Sequence, residues 1–255
     1  MSIRFSVFSI KGGVGKSTIA YQLAKELSKR YRVTLVDRDY TNTVSRYYGL
    51  RTGLINSLVD GVEGPYLAED GNLRVISLVS FQPSSIPSAE ELANFYFPLL
   101  KDSDILITDN PPGVDEISKL ELKAYYLSAR ELRCYCLWVT TPGISLDLTL
   151  REMNDVARAL TSAVPSMDLR LLSLIVNMVK EGTKLPELPL PHITIPFYRD
   201  LLFKGFHSVE IKEIKEVADL AEGVIRNAVP EERRSTGGGV GRFEFKLTLA
   251  LNSNT

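Results

Sequence analysis

Residues 11–18 read Lys11-Gly12-Gly13-Val14-Gly15-Lys16-Ser17-Thr18 and follow an apolar run from Ile3 to Ile10. A strand that turns through glycines into a helix leaves backbone N–H groups unpaired at the positive end of the helix dipole, where an anion is favoured. Lys16 reaches the β- and γ-phosphates of a bound nucleotide, and the Ser17 hydroxyl is placed to ligate Mg²⁺. Two further stretches fit the same chemistry. Leu35-Val36-Asp37-Arg38-Asp39 sets two carboxylates two residues apart at a strand end, suited to holding a hydrated Mg²⁺ and orienting an attacking water. The run Asp104-Ile105-Leu106-Ile107-Thr108-Asp109 is a buried strand ending in an acid, and Asn110-Pro111-Pro112-Gly113 continues it as a rigid turn.

These groups need a scaffold that brings strand ends together. Behind the loop, Ile19, Ala20, Leu23, Ala24 and Leu27 recur at helical spacing. Apolar, β-rich runs recur at 3–10, 33–36, 73–79, 105–108, 134–140, 171–176 and 192–195, and several are apolar at nearly every position. That suits strands buried on both faces of a parallel sheet. Helices are predicted over 17–29, 88–100, 114–130, 145–163 and 208–228. Strands alternating with helices predict a doubly wound α/β fold, mostly parallel, with helices on both faces. Ligands of such sheets sit outside the carboxyl ends of the strands, where these motifs fall.

A length of 255 residues allows one large α/β domain, assigned to residues 1–230. The 30 Lys+Arg balance 31 Asp+Glu and are spread evenly, so no basic tail advertises nucleic-acid binding. A DNA-binding surface would have to be assembled by folding or dimerisation, with Arg199 and Lys204 as candidates. Cys134 and Cys136, two apart in an apolar run, read as buried small hydrophobes and make a poor metal site. Their scarcity fits a reducing, cytoplasmic setting. His192 and His207 accompany no metal-ligand cluster. No stretch approaches the ~20 apolar residues of a membrane span, and the N-terminal apolar run reads as a strand, not a signal peptide. Residues 231–255 form a Gly-rich hinge and an amphipathic strand, Phe243 to Leu251, whose apolar face needs a partner. An edge strand on its own sheet, a contact with another chain and an unstructured tail all remain open there.

The phosphate loop departs from the general pattern: position 10 is Ile10 where a glycine is usual, and a second lysine, Lys11, follows. Here the chain resembles the ParA/MinD family of deviant-Walker ATPases, most closely ParA-type partition proteins, whose KGG-x-GK-[ST] signature it matches residue for residue. The resemblance implies ATP and Mg²⁺ as cofactors and an ATP-dependent homodimer in which Lys11 crosses to the phosphates of the other subunit. It implies Lys11, Lys16 and Asp39 as catalytic residues. Asp109 would hold Mg²⁺ with Ser17, Asp37 would lie nearer the outer shell, and Gly113 would offer its N–H to the γ-phosphate. Asn177 corresponds to the residue that reads the adenine edge and Pro196 to an Ile-Pro turn near the base, while Val139-Thr140-Thr141-Pro142 resembles the family's Thr-Thr-Pro strand. Tyr40-Thr41-Asn42-Thr43 departs from the usual Pro-Gln-Gly-Asn of switch I.

The function expected from this resemblance is a slow, ATP-dependent dimerising switch, with DNA partitioning, nonspecific DNA binding and a hydrolysis-stimulating partner protein. The helix over 208–228 lacks the basic, aromatic character of a MinD-type membrane anchor, and none follows it. The alternatives are a MinD-like positioning ATPase and, from another class, an ATP-dependent metabolic ligase or synthetase on the same fold. Iron–sulfur delivery is disfavoured, because Cys134-x-Cys136 lies inside a strand.

Overall fold

The computed structural model describes residues 2–228. The hinge and amphipathic strand expected over 231–255 lie outside the described residues. In chain order the elements are β1 (Ile3–Phe8), α1 (Lys16–Ser28), β2 (Val33–Asp37), α2 (Thr43–Tyr47), α3 (Leu54–Asp60), β3 (Leu67–Asp70), β4 (Leu73–Ser77) and α4 (Ala89–Leu100). Then come β5 (Ile105–Asp109), α5 (Glu116–Ala129), β6 (Arg133–Thr140), α6 (Ile144–Ala163), β7 (Asp168–Val179), β8 (His192–Pro196), α7 (Leu201–Lys204) and α8 (Ile214–Ala228).

The strands form one eight-stranded sheet in the order β3-β4-β2-β5-β1-β6-β7-β8. Only β3 runs antiparallel, pairing with β4. The two apolar layers sort by the two-residue strand period. Phe5, Val7, Leu35, Ile105 and Ile107 face α1, α2 and α8, whose Ile19, Val44 and Val217 complete that core. Phe8, Val36, Leu106, Cys134 and Trp138 face α3 to α6. The expected doubly wound α/β fold is therefore the observed one. The chain turns to one side of β1 for β2 to β5 and to the other for β6 to β8, which places a topological switch point beside the phosphate loop.

The register brings the chemistry together. Asp37 on β2 and Val7 on β1 both stand level with Asp109 on β5, so three strands end side by side. Helices enter from that edge with different caps. At α4, Ser88 Oγ accepts from the Glu91 N–H (3.1 Å) and Glu91 Oε2 from the Ser88 N–H (2.8 Å), a complete capping box. At α5, Asp115 Oδ1 accepts from the Ser118 N–H (2.7 Å). At α1 the cap residue is Gly15, no side chain fills the role, and the first turn holds no acid.

Several expectations needed correction. β1 ends at Phe8, because the chain already bends at Ile10. The helix expected from 208 begins at Ile214; residues before it turn around Tyr198, whose hydroxyl donates to Glu213 and accepts from the Lys212 N–H. The short elements α2, α3, β3 and α7 were not anticipated, being too brief to show a period. β3 reads Leu-Ala-Glu-Asp and sits at an exposed edge, so its polarity hid it.

Candidate functional site

The site is built at the carboxyl ends of β1, β2 and β5. The glycines let the backbone arch over the N-terminus of α1: Gly13 has φ +77° and Gly15 φ +89°. At Gly15 a Cβ would come 2.3 Å from Asn177 Nδ2, so this position requires glycine on two grounds. Val14 anchors the loop in the core, while Lys11, Gly12 and Gly13 are exposed. Thr18, the third residue of α1, is half-buried.

Lys16 is the electrostatic centre. Its Nζ donates to Asp39 Oδ2 (3.0 Å) and to Asp109 Oδ1 (3.1 Å), and the side chain is 6% exposed. Burial alone would lower its pKa, but the Asp109 and Asp39 charges outweigh burial and raise it. Burial alone would raise Asp39, yet Lys16 and the Thr41 N–H (3.0 Å) hold it below the ordinary carboxylate range. Asp109 is fully buried and its carboxyl is raised by that burial, with Lys16 and the Ser17 hydroxyl opposing. Asp37 is pushed up to about 7, first by burial and then by the neighbouring Asp109 charge. The site thus holds excess carboxylate around one cation, a surplus that a divalent cation relieves.

The donor set suits Mg²⁺. Asp109 Oδ2 is buried without a hydrogen-bond partner, beside Ser17. Hard oxygen ligands in small number are what Mg²⁺ takes from protein, the phosphates and waters supplying the rest. Among the described residues no cluster of three or more His, Cys, Asp or Glu would hold a metal without a nucleotide.

Three of the expected site residues make hydrogen bonds within the chain. Asp37 Oδ2 accepts from both the N–H and the hydroxyl of Ser45 (2.8 Å each), and Oδ1 from the Asp39 N–H (3.3 Å). Asp37 therefore ties the start of α2 to β2. The Gly113 N–H donates to Ser9 O (2.8 Å) rather than standing free for a γ-phosphate, and Gly113 has φ +73°. Asn177 Nδ2 donates to Val14 O (2.9 Å), so its amide braces the phosphate loop in this arrangement. Pro196 closes β8 at the far side of the sheet, where Val179 is its register partner. The Thr-Thr-Pro strand behaves as expected of a strand end: Thr140 Oγ1 pairs with Ser145 Oγ at 3.0 Å.

Sequence reasoning missed a second charged cluster behind this edge. Arg4, Arg38, Tyr96 and Glu121 are all fully buried. Arg4 Nη1 donates to Glu121 Oε1 (2.8 Å) and its Nη2 to Oε2; Arg38 Nη1 also donates to Oε2, and the Tyr96 hydroxyl to Oε1 (2.7 Å). The available signal was charge inside apolar runs, in Ile3-Arg4-Phe5 and in the core-facing part of α5.

A strand, an uncapped glycine-led helix and a Lys–Asp–Asp cluster define a phosphate-binding P-loop centre. The CobQ/CobB/MinD/ParA nucleotide binding domain description matches residues 5–189, and the chain belongs to that family. An iron-sulfur cluster carrier protein of Rickettsia typhi is 32% identical over 186 residues, covering 68% of this chain and 52% of the relative. A cytosolic Fe-S cluster assembly factor Nubp2 homolog of Drosophila virilis is 32% identical over 187 residues, covering 68% of this chain and 65% of the relative. The chain thus spans about half the length of the Rickettsia protein. Among solved structures, a plasmid partition protein (BB_S35) from Borrelia burgdorferi B31 bound to AMPPNP aligns with TM-score 0.64 at 22% identity, over 89% of this chain and 100% of that one. The septum site-determining protein MinD with Mg-ADP from Pyrococcus horikoshii OT3 aligns with TM-score 0.58 at 20% identity, over 89% and 98%. These likenesses show a shared fold. Among the described residues no helix is long and apolar enough to cross a membrane.

Proposed function

We propose that the chain is an ATP-hydrolysing switch that dimerises around bound ATP. The observation that carries this is Lys16 held between Asp39 and Asp109 under a helix N-terminus left uncapped. An incoming triphosphate offers Lys16 a better anion and the bare N–H groups their acceptor. Lys16 then turns from the carboxylates to the phosphates. Asp39, kept ionised, accepts a hydrogen bond from the attacking water and orients it; water adds to the γ-phosphorus as the bond to the ADP oxygen breaks. Mg²⁺, held through Asp109 and Ser17, would neutralise charge on the phosphates. Lys11 is exposed and makes no ion pair among the described residues, as a residue reaching a second subunit's phosphates must be. The Gly113 N–H would have to leave Ser9 to meet the γ-phosphate, giving switch II a nucleotide-dependent step.

Phosphate release from Mg·ATP tests this proposal. Slow turnover by the wild-type chain and none by Lys16→Ala is expected; a wild-type chain that neither binds nor turns over ATP would overturn it.

Two cargo readings follow for a cytoplasmic switch. DNA partitioning, with nonspecific DNA and a stimulating protein as partners, rests on the resemblance of the phosphate loop and the switches. Iron–sulfur carriage is favoured by the names of the relatives at 32% identity. Against it, Cys134 and Cys136 are 1% and 2% exposed inside β6 and offer no thiol at a surface. Anisotropy of a labelled random-sequence duplex in ATP and ADP separates the two. ATP-dependent binding supports partition; absence of binding, together with cluster absorbance after reconstitution, supports carriage.

A further inference from the structure

The middle residue of Asp37-Arg38-Asp39 does not share its neighbours' face. Strand alternation sends Asp37 to the α1 side, where its Oδ2 meets Ser45, and Arg38 to the α5 side, where it is fully buried. There Glu121, six residues beyond the Asp115 cap of α5, accepts from Arg38, Arg4 and Tyr96 together. Arg38 Nη1 also reaches Ser118 O (3.4 Å), and the Arg38 N–H donates to Asp109 O (2.9 Å). One residue is thus tied to the helix that follows switch II and to the strand carrying Asp109.

Asp39 depends on this. Its carboxylate is held by Lys16 and by the Thr41 N–H. Once Lys16 turns to phosphate, Asp39 keeps only the Thr41 N–H, and its place depends on the backbone that carries both residues. That backbone is fixed one residue upstream by the Arg38 side chain. We infer that Arg38, locked by Glu121, is a positioning residue that keeps Asp39 aligned for water attack after Lys16 has left it. The inference rests on the proposed ATPase function. It goes beyond it in assigning a catalytic alignment to a side chain that touches neither nucleotide nor metal.

The charge balance supplies a clean variant. Two buried guanidiniums share one carboxylate, so Arg38→Met leaves Arg4 and Glu121 as a matched bidentate pair, with an apolar chain of similar length in a dry site. Folding should survive. The test compares kcat and KM for Mg·ATP, with thermal melts, in wild type, Arg38→Met and Arg38→Lys. Misplaced reacting groups cost up to about 100-fold in rate. Arg38→Met should lose roughly 10- to 100-fold in kcat at a KM within about twofold of wild type. Arg38→Lys, retaining the charge and one bond to Glu121, should recover part of the loss. A folded Arg38→Met with wild-type kcat overturns the inference, as does equal loss in kcat and ATP affinity. If Arg38→Met does not fold, Arg38→Lys decides alone: reduced kcat at unchanged KM supports the inference, and unchanged kcat overturns it. A wild-type chain with no turnover would instead overturn the function on which the inference rests.

Discussion

Two triads of opposite sign lie on opposite faces of the same strands. On the α1 face one cation, Lys16, is shared by the carboxylates of Asp39 and Asp109. On the α5 face one carboxylate, Glu121, is shared by the guanidiniums of Arg4 and Arg38. The first sits at the strand ends, where a phosphate can replace the carboxylates as Lys16's partner. The second is sealed: Arg4, Arg38 and Glu121 are fully buried behind the strand ends. Buried ion groups contribute little net stability when intact but cost heavily when one member is removed. An exchangeable triad therefore suits a switch, and a sealed one suits a fixed point against which the switch moves.

Breaking the sealed triad should have the largest effect. Glu121→Ala strands two buried guanidiniums, and denaturant unfolding should show a loss of about 3–5 kcal/mol. A loss below that of an ordinary surface substitution would mean that water or another anion already serves these arginines. Breaking the exchangeable triad should act on binding instead. Lys16→Ala should lower ATP affinity by roughly 100-fold or more, a charge-assisted phosphate contact being worth about 3 kcal/mol. Titration with a fluorescent ATP analogue checks it, and retained affinity would reject the phosphate-loop assignment.

The faces should also differ in pH response. The Asp37 carboxyl, raised by burial and by Asp109 to about 7, binds a proton more tightly in the folded chain than in the unfolded one. Its contribution is therefore full below the unfolded value near 4 and declines as pH rises toward 7. Asp37→Asn should remove that decline, on the order of 4 kcal/mol between pH 4 and 8. Stability curves with identical slopes for both proteins would refute the assignment. The smallest effect sharpens the sealed side. Thr108 Oγ1 donates to Ser6 Oγ (2.8 Å) and lies at the edge of Arg38's reach, so Thr108→Val should cost about 1 kcal/mol in unfolding while leaving ATP affinity unchanged.

What could be seen in the sequence was whatever is contiguous. The Lys11–Thr18 loop carries its own geometry, and a strand ending in Asp109 followed by Pro111-Pro112-Gly113 announces itself locally. The parallel sheet followed from runs such as Ile105–Thr108 that are apolar at nearly every position. The sealed cluster was invisible because it joins residues 4, 38, 96 and 121 through sheet order and helix placement, neither of which spacing encodes. Ser45 was missed for the same reason, since its bond to Asp37 depends on α2, five residues too short to show a period. The partner of Asn177 also lay beyond the sequence: only the approach of β7 to Gly15 reveals that its amide braces Val14.

Sedimentation velocity of Asp39→Ala in Mg·ATP and in Mg·ADP tests the central claim most directly. With hydrolysis blocked and Lys16 still free to bind phosphate, a stable dimer is expected in ATP and a monomer in ADP. A variant that binds ATP yet sediments as a monomer in both nucleotides would contradict it.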